Sequence, residues 1–104
     1  MSSKTRLSNN QLASIIDEAT IYMCACPAQV AEQILRLREM IRYQADCEAQ
    51  VGADSKVHKT IAAAGERALA VLEACLDDVL DIEGWDRATL KMPPGLRKRR
   101  DEMV

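Results

Sequence analysis

The sequence has little of what usually builds a large hydrophobic core. It contains no phenylalanine, and Trp85, Tyr22 and Tyr43 are its only aromatic residues. Aromatic side chains bury the most area per residue, so a core of Ala, Leu, Ile and Val gains less free energy than usual. A chain of 104 residues has room for one domain only, and small domains bury a smaller fraction of their surface. We therefore expect self-association to supply part of the stability.

Membrane and targeting signals are also missing. No apolar run approaches the ~20 residues that a membrane span needs, and the first 19 residues lack the basic-then-apolar pattern of a secretory signal. We therefore expect a cytoplasmic protein, in which the four cysteines stay reduced. The sequence shows neither a Gly-rich phosphate loop nor a serine–histidine–acid set, so we expect no enzymatic activity and no cofactor.

The charge is unevenly placed along the chain. The net charge is −2; residues 28–83 carry eleven acids and six bases, whereas residues 84–104 carry six bases and three acids. This asymmetry predicts an acidic helical-hairpin domain over residues 1–92 and a basic C-terminal tail over residues 93–104. The tail contains four adjacent bases, which we expect to contact a protein partner: Arg97, Lys98, Arg99 and Arg100.

Helix signals divide the domain into three segments. Ser8 and Gln11 have capping-box spacing, with Leu7 placed to staple onto Leu12, which predicts a first helix from about Asn9 to Met23. Pro27 favours the start of a second helix, lasting to about residue 51, and should hold Cys26 outside it. A third helix is expected over residues 55–83. Because only residues 52–54 separate the last two, the fold class is all-α, an antiparallel hairpin with a shorter N-terminal helix.

Apolar residues form stripes along both long helices. On the second helix, Val30, Ile34, Leu37, Ile41 and Gln44 alternate by four and three, which is heptad spacing. The third helix continues this four-three rhythm in one stripe, and a second stripe lies beside it. We name the first the outer stripe, and it consists of Val57, Ile61, Ala64, Ala68, Val71, Cys75 and Ile82. We name the second the leucine stripe, and it consists of Leu69, Leu72, Leu76 and Leu80.

The two stripes of the third helix need different neighbours. We expect the outer stripe to face the second helix, and the leucine stripe to be covered by the first helix and by a second copy of the chain. Gly65 costs ~1 kcal/mol relative to alanine inside a helix, so close approach of another helix, or a kink, should explain it. The predicted self-association residues are Ala62, Gly65, Leu69, Leu72, Leu76 and Leu80.

Four residues could support thiol or metal chemistry. Cys24 and Cys26 lie before a helix start, where the helix dipole favours the thiolate; a lone Cys-x-Cys pair equally suits two small residues between helices. Cys47 and His58 fall at similar levels of the hairpin but at heptad positions that flank opposite sides, so a site would need two copies. A thiol- or metal-responsive regulator is therefore an alternative function.

The basic tail and the acidic end of the third helix leave a further alternative open. Four adjacent bases could contact phosphates, but the acidic body and the few aromatics do not favour nucleic acid. The acids at positions 77, 78, 81 and 83 could bind a basic partner, a cation or the tail itself, or be partly neutralised by Arg87 and Lys91. The sequence favours a small, non-enzymatic helical protein that self-associates and binds a protein partner.

Overall fold

The computed structural model describes residues 6–20, 25–51 and 55–95 and contains three helices. They are α1 (Asn9–Thr20), α2 (Cys26–Val51) and α3 (Ser55–Glu83). α2 packs against α3, and α1 packs against α2. The α2–α3 pair is antiparallel, since Gln44 lies beside His58 and Arg38 lies beside Glu73. These contacts confirm the predicted all-α hairpin with a shorter leading helix.

The capping box at the start of α1 is present as predicted. The Gln11 N–H donates to Ser8 Oγ at 3.0 Å, and the Ser8 N–H donates to Gln11 Oε1 at 2.8 Å. Two N–H groups that have no partner inside the helix are thereby satisfied. Leu7 is half-buried against the core, in which Leu12 is fully buried. The local sequence therefore fixes both the start of α1 and the face that it buries.

α2 begins one residue earlier than expected. Cys26 is its first residue and Pro27 its second, and the Gln29 N–H donates to the Ala25 carbonyl at 3.1 Å. Proline is tolerated here because the N–H groups of the first turn have no partner inside the helix. The prediction that Pro27 would hold Cys26 outside the helix is therefore wrong.

A Schellman motif ends α3, as the sequence indicates. The Trp85 N–H donates to the Leu80 carbonyl at 3.0 Å, and the Gly84 N–H donates to the Asp81 carbonyl at 3.1 Å. Gly84 has φ 76°, the left-handed conformation that glycine adopts at low cost. This turn returns Trp85 to the core, where it is buried with Leu80.

Residues 86–91 form a closed turn that continues the core beyond α3. Asp86 Oδ1 accepts from the N–H groups of Ala88 and Thr89 at 2.9 and 3.1 Å, and the Asp86 N–H donates to the Lys91 carbonyl at 3.0 Å. Leu90 has φ 59° and is buried. Asp86 thus caps this turn, which adds Leu90 to the interior.

The hydrophobic core lies at the end of the hairpin away from the 52–54 connection. Its buried apolar residues are Leu12, Ile15, Ala19, Ala28, Ala31, Ile34, Leu69, Leu76, Leu80, Trp85, Leu90 and Met92. Between residues 35 and 64, by contrast, no side chain that the structure describes is fully buried. We call this two-helix extension, residues 35–51 and 55–64, the arm.

The leucine stripe faces the interior of one chain, and the outer stripe does not. Leu69, Leu76 and Leu80 are 2% exposed or less, whereas Val57, Val71 and Ile82 are exposed. The prediction that the outer stripe would face α2 is therefore wrong for these three residues, and Leu69, Leu76 and Leu80 need no second copy to cover them. Leucine buries more apolar surface than alanine, valine or cysteine, so the hairpin turns its larger side chains inward.

Gly65 permits close approach of two helices within the hairpin. A β-carbon at Gly65 would lie 2.9 Å from Ile41 Cγ1 and 2.9 Å from Met40 Cε, closer than carbon atoms pack. α3 continues unbroken through this position. The close neighbour of Gly65 is therefore α2 of the same chain, whereas the sequence analysis favoured a contact between subunits.

Candidate functional site

The outer stripe of α3 is a largely apolar surface, most of which a single chain leaves exposed. Val57 is 53% exposed, Val71 68% and Ile82 83%, and Ala64 and Ala68 between them are also exposed. Ile61 and Cys75 are half-buried. The stripe runs for about 38 Å along the helix. An exposed apolar surface of this extent is typical of an interaction site.

The spacing of the outer stripe is that of a coiled-coil interface. From Val57 to Ile82 the positions advance alternately by four and three residues, so they remain on one side of the helix for almost four heptads. Asp78 is the one polar residue in this series and is exposed. Ala64 and Ala68 lie near the middle, where small side chains let another helix approach closely.

The residues predicted for self-association have a different place in the structure. Leu69, Leu76 and Leu80 are buried within one chain, and Gly65 packs on Met40 and Ile41, so these four residues are not available on its surface. Ala62 and Leu72 are half-buried. The exposed apolar surface of α3 is the outer stripe, which the sequence analysis assigned to α2.

The acidic end of α3 is partly neutralised inside the chain. Arg87 donates to Asp77 Oδ1 and, at 2.9 Å, to Asp81 Oδ1. The hydrogen bond to Asp77 raises the pKa of Arg87 above its ordinary value, although burial opposes this shift. Glu83 accepts from the Trp85 indole N–H at 2.8 Å. The expected role of Arg87 is therefore confirmed, and the indole is an additional donor.

Lys91 contacts α1, whereas the sequence analysis suggested that it would neutralise the acids of α3. Its Nζ lies 3.5 Å from Glu18 Oε1, and the Met92 N–H donates to Glu18 Oε2 at 2.9 Å. Glu18 is only 4% exposed. Buried carboxylates are rare unless they are paired, so this contact ties the residues after α3 to α1.

An arginine at the centre of the hairpin joins all three helices. Arg38 Nη2 donates to Glu73 Oε2 and to the Leu7 carbonyl, both at 2.8 Å, and Arg38 Nη1 donates to Asn9 Oδ1 at 2.7 Å. Arg6 Nε also reaches Glu73 Oε2, at 2.6 Å. Two open clefts of about 460 and 620 Å³ flank this cluster. The arginine fixes the start of α1 against the hairpin.

The charge on Glu73 makes the stability of the fold depend on pH. Burial disfavours the ionised carboxyl, but hydrogen bonds from Arg6 and Arg38 outweigh it and lower its pKa. A lowered pKa in the folded state contributes stability that is present above the unfolded value of about 4.3 and is lost as the pH falls through the folded pKa. We expect the free energy of unfolding of wild type to exceed that of Glu73→Gln by up to about 1 kcal/mol at neutral pH. This difference should vanish in acid. Urea unfolding between neutral and acidic pH measures it; a difference independent of pH would contradict the expectation.

The thiol and metal candidates that the structure describes belong to no group of three or more possible metal ligands. Cys26 is exposed, and Cys47 and Cys75 are half-buried thiols. His58 Nδ1 lies 2.8 Å from Gln44 Oε1 and is half-buried. Within residues 6–20, 25–51 and 55–95, no group of three or more His, Cys, Asp or Glu side chains could hold a metal ion. Cys24 lies outside the described residues.

Two further expectations from the sequence concern the basic tail and membrane spans. The basic residues Arg97 to Arg100 lie outside the described residues. In the part of the chain that the structure describes, no helix is long and apolar enough to cross a lipid bilayer. Comparison with protein families, with curated proteins and with solved structures finds no match to the chain.

Proposed function

We propose that the chain is a non-enzymatic helical protein that self-associates through the outer stripe of α3 and so forms an assembly that binds a protein partner. The observation that supports this proposal is the exposure of Val57, Val71 and Ile82 in heptad spacing with Ala64 and Ala68. Covering these side chains would gain about 25 cal/mol for each Å² of apolar surface removed from water.

The distribution of burial also supports assembly. The core occupies one end of the hairpin, while every side chain of the arm that the structure describes is half-buried or exposed. A two-helix arm covers little of its own apolar surface, and a neighbouring helix on α3 would bury the outer stripe along the arm and the core end together. Because this surface is one helix wide, we expect a reversible association that depends on protein concentration.

A charge placed in the outer stripe should weaken the association. Val71→Glu introduces a carboxylate at the middle of the proposed interface, where desolvation without a partner is costly. We expect the dissociation constant to rise at least about tenfold, corresponding to 1.4 kcal/mol. Sedimentation velocity of wild type and variant over the same dilution series measures the change.

Ala70→Glu is the matched control for this experiment. Ala70 is exposed on the same helix, one residue before Val71 and therefore about 100° around the axis. It introduces the same charge on a different face, so the association of Ala70→Glu should equal that of wild type. Equal weakening by both variants would indicate a general effect of charge and would contradict the proposed interface.

The partner-binding segment in this proposal is the basic run from Arg97 to Arg100. Four adjacent bases suit an acidic protein surface, and two associated chains would present two such runs. Deleting residues 96–104 should remove partner binding while leaving self-association unchanged.

A further inference from the structure

We infer that the second copy docks antiparallel along α3, with Val57 of one chain opposite Ile82 of the partner subunit. This inference rests on the proposed self-association and specifies its geometry. It follows from three properties of the outer stripe: the position of its one acidic residue, the order of its small and large side chains, and the charge along α3.

Asp78 disfavours a parallel pair. It occupies a position of the heptad series between Cys75 and Ile82, so a parallel pair in register would place the two Asp78 carboxylates against each other between the helices. Like charges at an interface oppose association. An antiparallel pair with Val57 opposite Ile82 separates the two carboxylates by about 26 Å along the axis.

The side-chain sizes of the outer stripe are complementary when one copy is reversed. The series has the same spacing in both directions, so reversal places Ala68 opposite the partner's Val71 and Ala64 opposite the partner's Cys75. Each small residue then meets a larger one. A parallel pair instead stacks alanine on alanine and valine on valine, which leaves the distance between the helices uneven and packs less well.

The charge along α3 also favours the antiparallel orientation. Residues 55–69 carry three bases and one acid, whereas residues 70–83 carry five acids and no base. Within one chain, Arg87 is shared between Asp77 and Asp81, so one arginine serves two of the five acids. Reversal brings this acidic half alongside the basic half of the partner, and a parallel pair aligns like with like.

Cross-linking of two single-cysteine proteins tests the orientation. In a background with Cys24, Cys26 and Cys47 changed to serine and Cys75 to alanine, one protein carries Val57→Cys and the other Ile82→Cys. Both positions are exposed, so the substitutions should not disturb folding. A short bifunctional maleimide is added to each protein alone and to the mixture, with one protein carrying a tag that identifies mixed dimers by mass.

We expect cross-links in the mixture, between position 57 of one chain and position 82 of the other, and few in either protein alone. In a parallel pair these positions would be about 38 Å apart, beyond the reach of the reagent. Cross-links between two copies of the same variant would overturn the antiparallel pair. So would the absence of any cross-link in the mixture when the protein is dimeric by mass. A chain that is monomeric by mass would instead overturn the proposed self-association.

Two controls complete the experiment. Gln33→Cys, at an exposed position of α2, reports cross-linking from random collision and should give no product. Adding Val71→Glu to both single-cysteine proteins should remove the product. Persistence of the product with Val71→Glu present would indicate that collision, not the outer stripe, brings the two positions together.

Discussion

Leu76→Ala is expected to lower the free energy of unfolding by about 2–5 kcal/mol. Leu76 has no exposed surface, and it lines a cleft with Leu12 of α1 and Ile34 of α2. Truncation removes buried apolar contacts and leaves a cavity that rigid helices fill only in part. Small domains are stable by about 5–15 kcal/mol, so this one change should remove a large share. Urea unfolding followed by circular dichroism measures it.

Val71→Ala is the matched comparison for this prediction. Val71 lies five residues earlier on the same helix but is 68% exposed. At protein concentrations where the chain is dissociated, its truncation should change the free energy of unfolding by less than about 0.5 kcal/mol. If Val71→Ala costs as much as Leu76→Ala under these conditions, the outer stripe is not on the surface of one chain.

Glu18→Ala is expected to cost about 1–3 kcal/mol. Glu18 is buried, and its carboxylate accepts the N–H of Met92, which is itself 6% exposed. Removing the acceptor leaves a buried N–H group without this partner and loosens the turn that carries Leu90 and Met92 into the core. Hydrogen exchange at the Met92 amide, together with urea unfolding, measures the effect.

Two other variants separate the possible causes. Glu18→Gln keeps a carbonyl oxygen in the same place and should cost less than Glu18→Ala. Lys91→Ala should change the free energy of unfolding little. The Lys91 side chain is 64% exposed, and its 3.5 Å contact with Glu18 is long, so the ion pair contributes little. If Lys91→Ala destabilises the protein as much as Glu18→Ala, the ion pair and not the Met92 hydrogen bond holds the turn.

The start of α1 and the end of α3 were predictable because their signals are local. Ser8 and Gln11 are three residues apart, and Gly84 and Trp85 immediately follow α3, so short stretches of sequence determine both caps. The 52–54 connection likewise forces α2 and α3 to be antiparallel neighbours. These features require no knowledge of distant residues, and the structure confirms them.

The choice between the two stripes of α3 was not predictable from periodicity. The two stripes lie beside each other, because Leu69, Leu72 and Leu76 each follow a member of the outer stripe by one residue, about 100° around the helix. Both fit a seam equally well by pattern. The deciding quantity is the apolar area that each stripe can bury, and leucine exceeds alanine and valine. Weighing stripes by side-chain size would have placed Leu69 and Leu76 inside.

The polar contacts between helices had no sequence signal. Arg38 meets Glu73 across 35 positions of the chain, and Glu18 meets Met92 across 74. No local motif links residues at such separations, because their contact depends on how three helices pack. The sequence shows many acidic and basic residues but does not indicate which of them pair.

The mass of the unmodified chain in solution tests the central claim most directly. Sedimentation velocity over a wide dilution series should show a species of twice 11.5 kDa at high concentration, giving way to the single chain on dilution. A single 11.5 kDa species at every concentration would contradict the claim that another copy of the chain covers the outer stripe of α3.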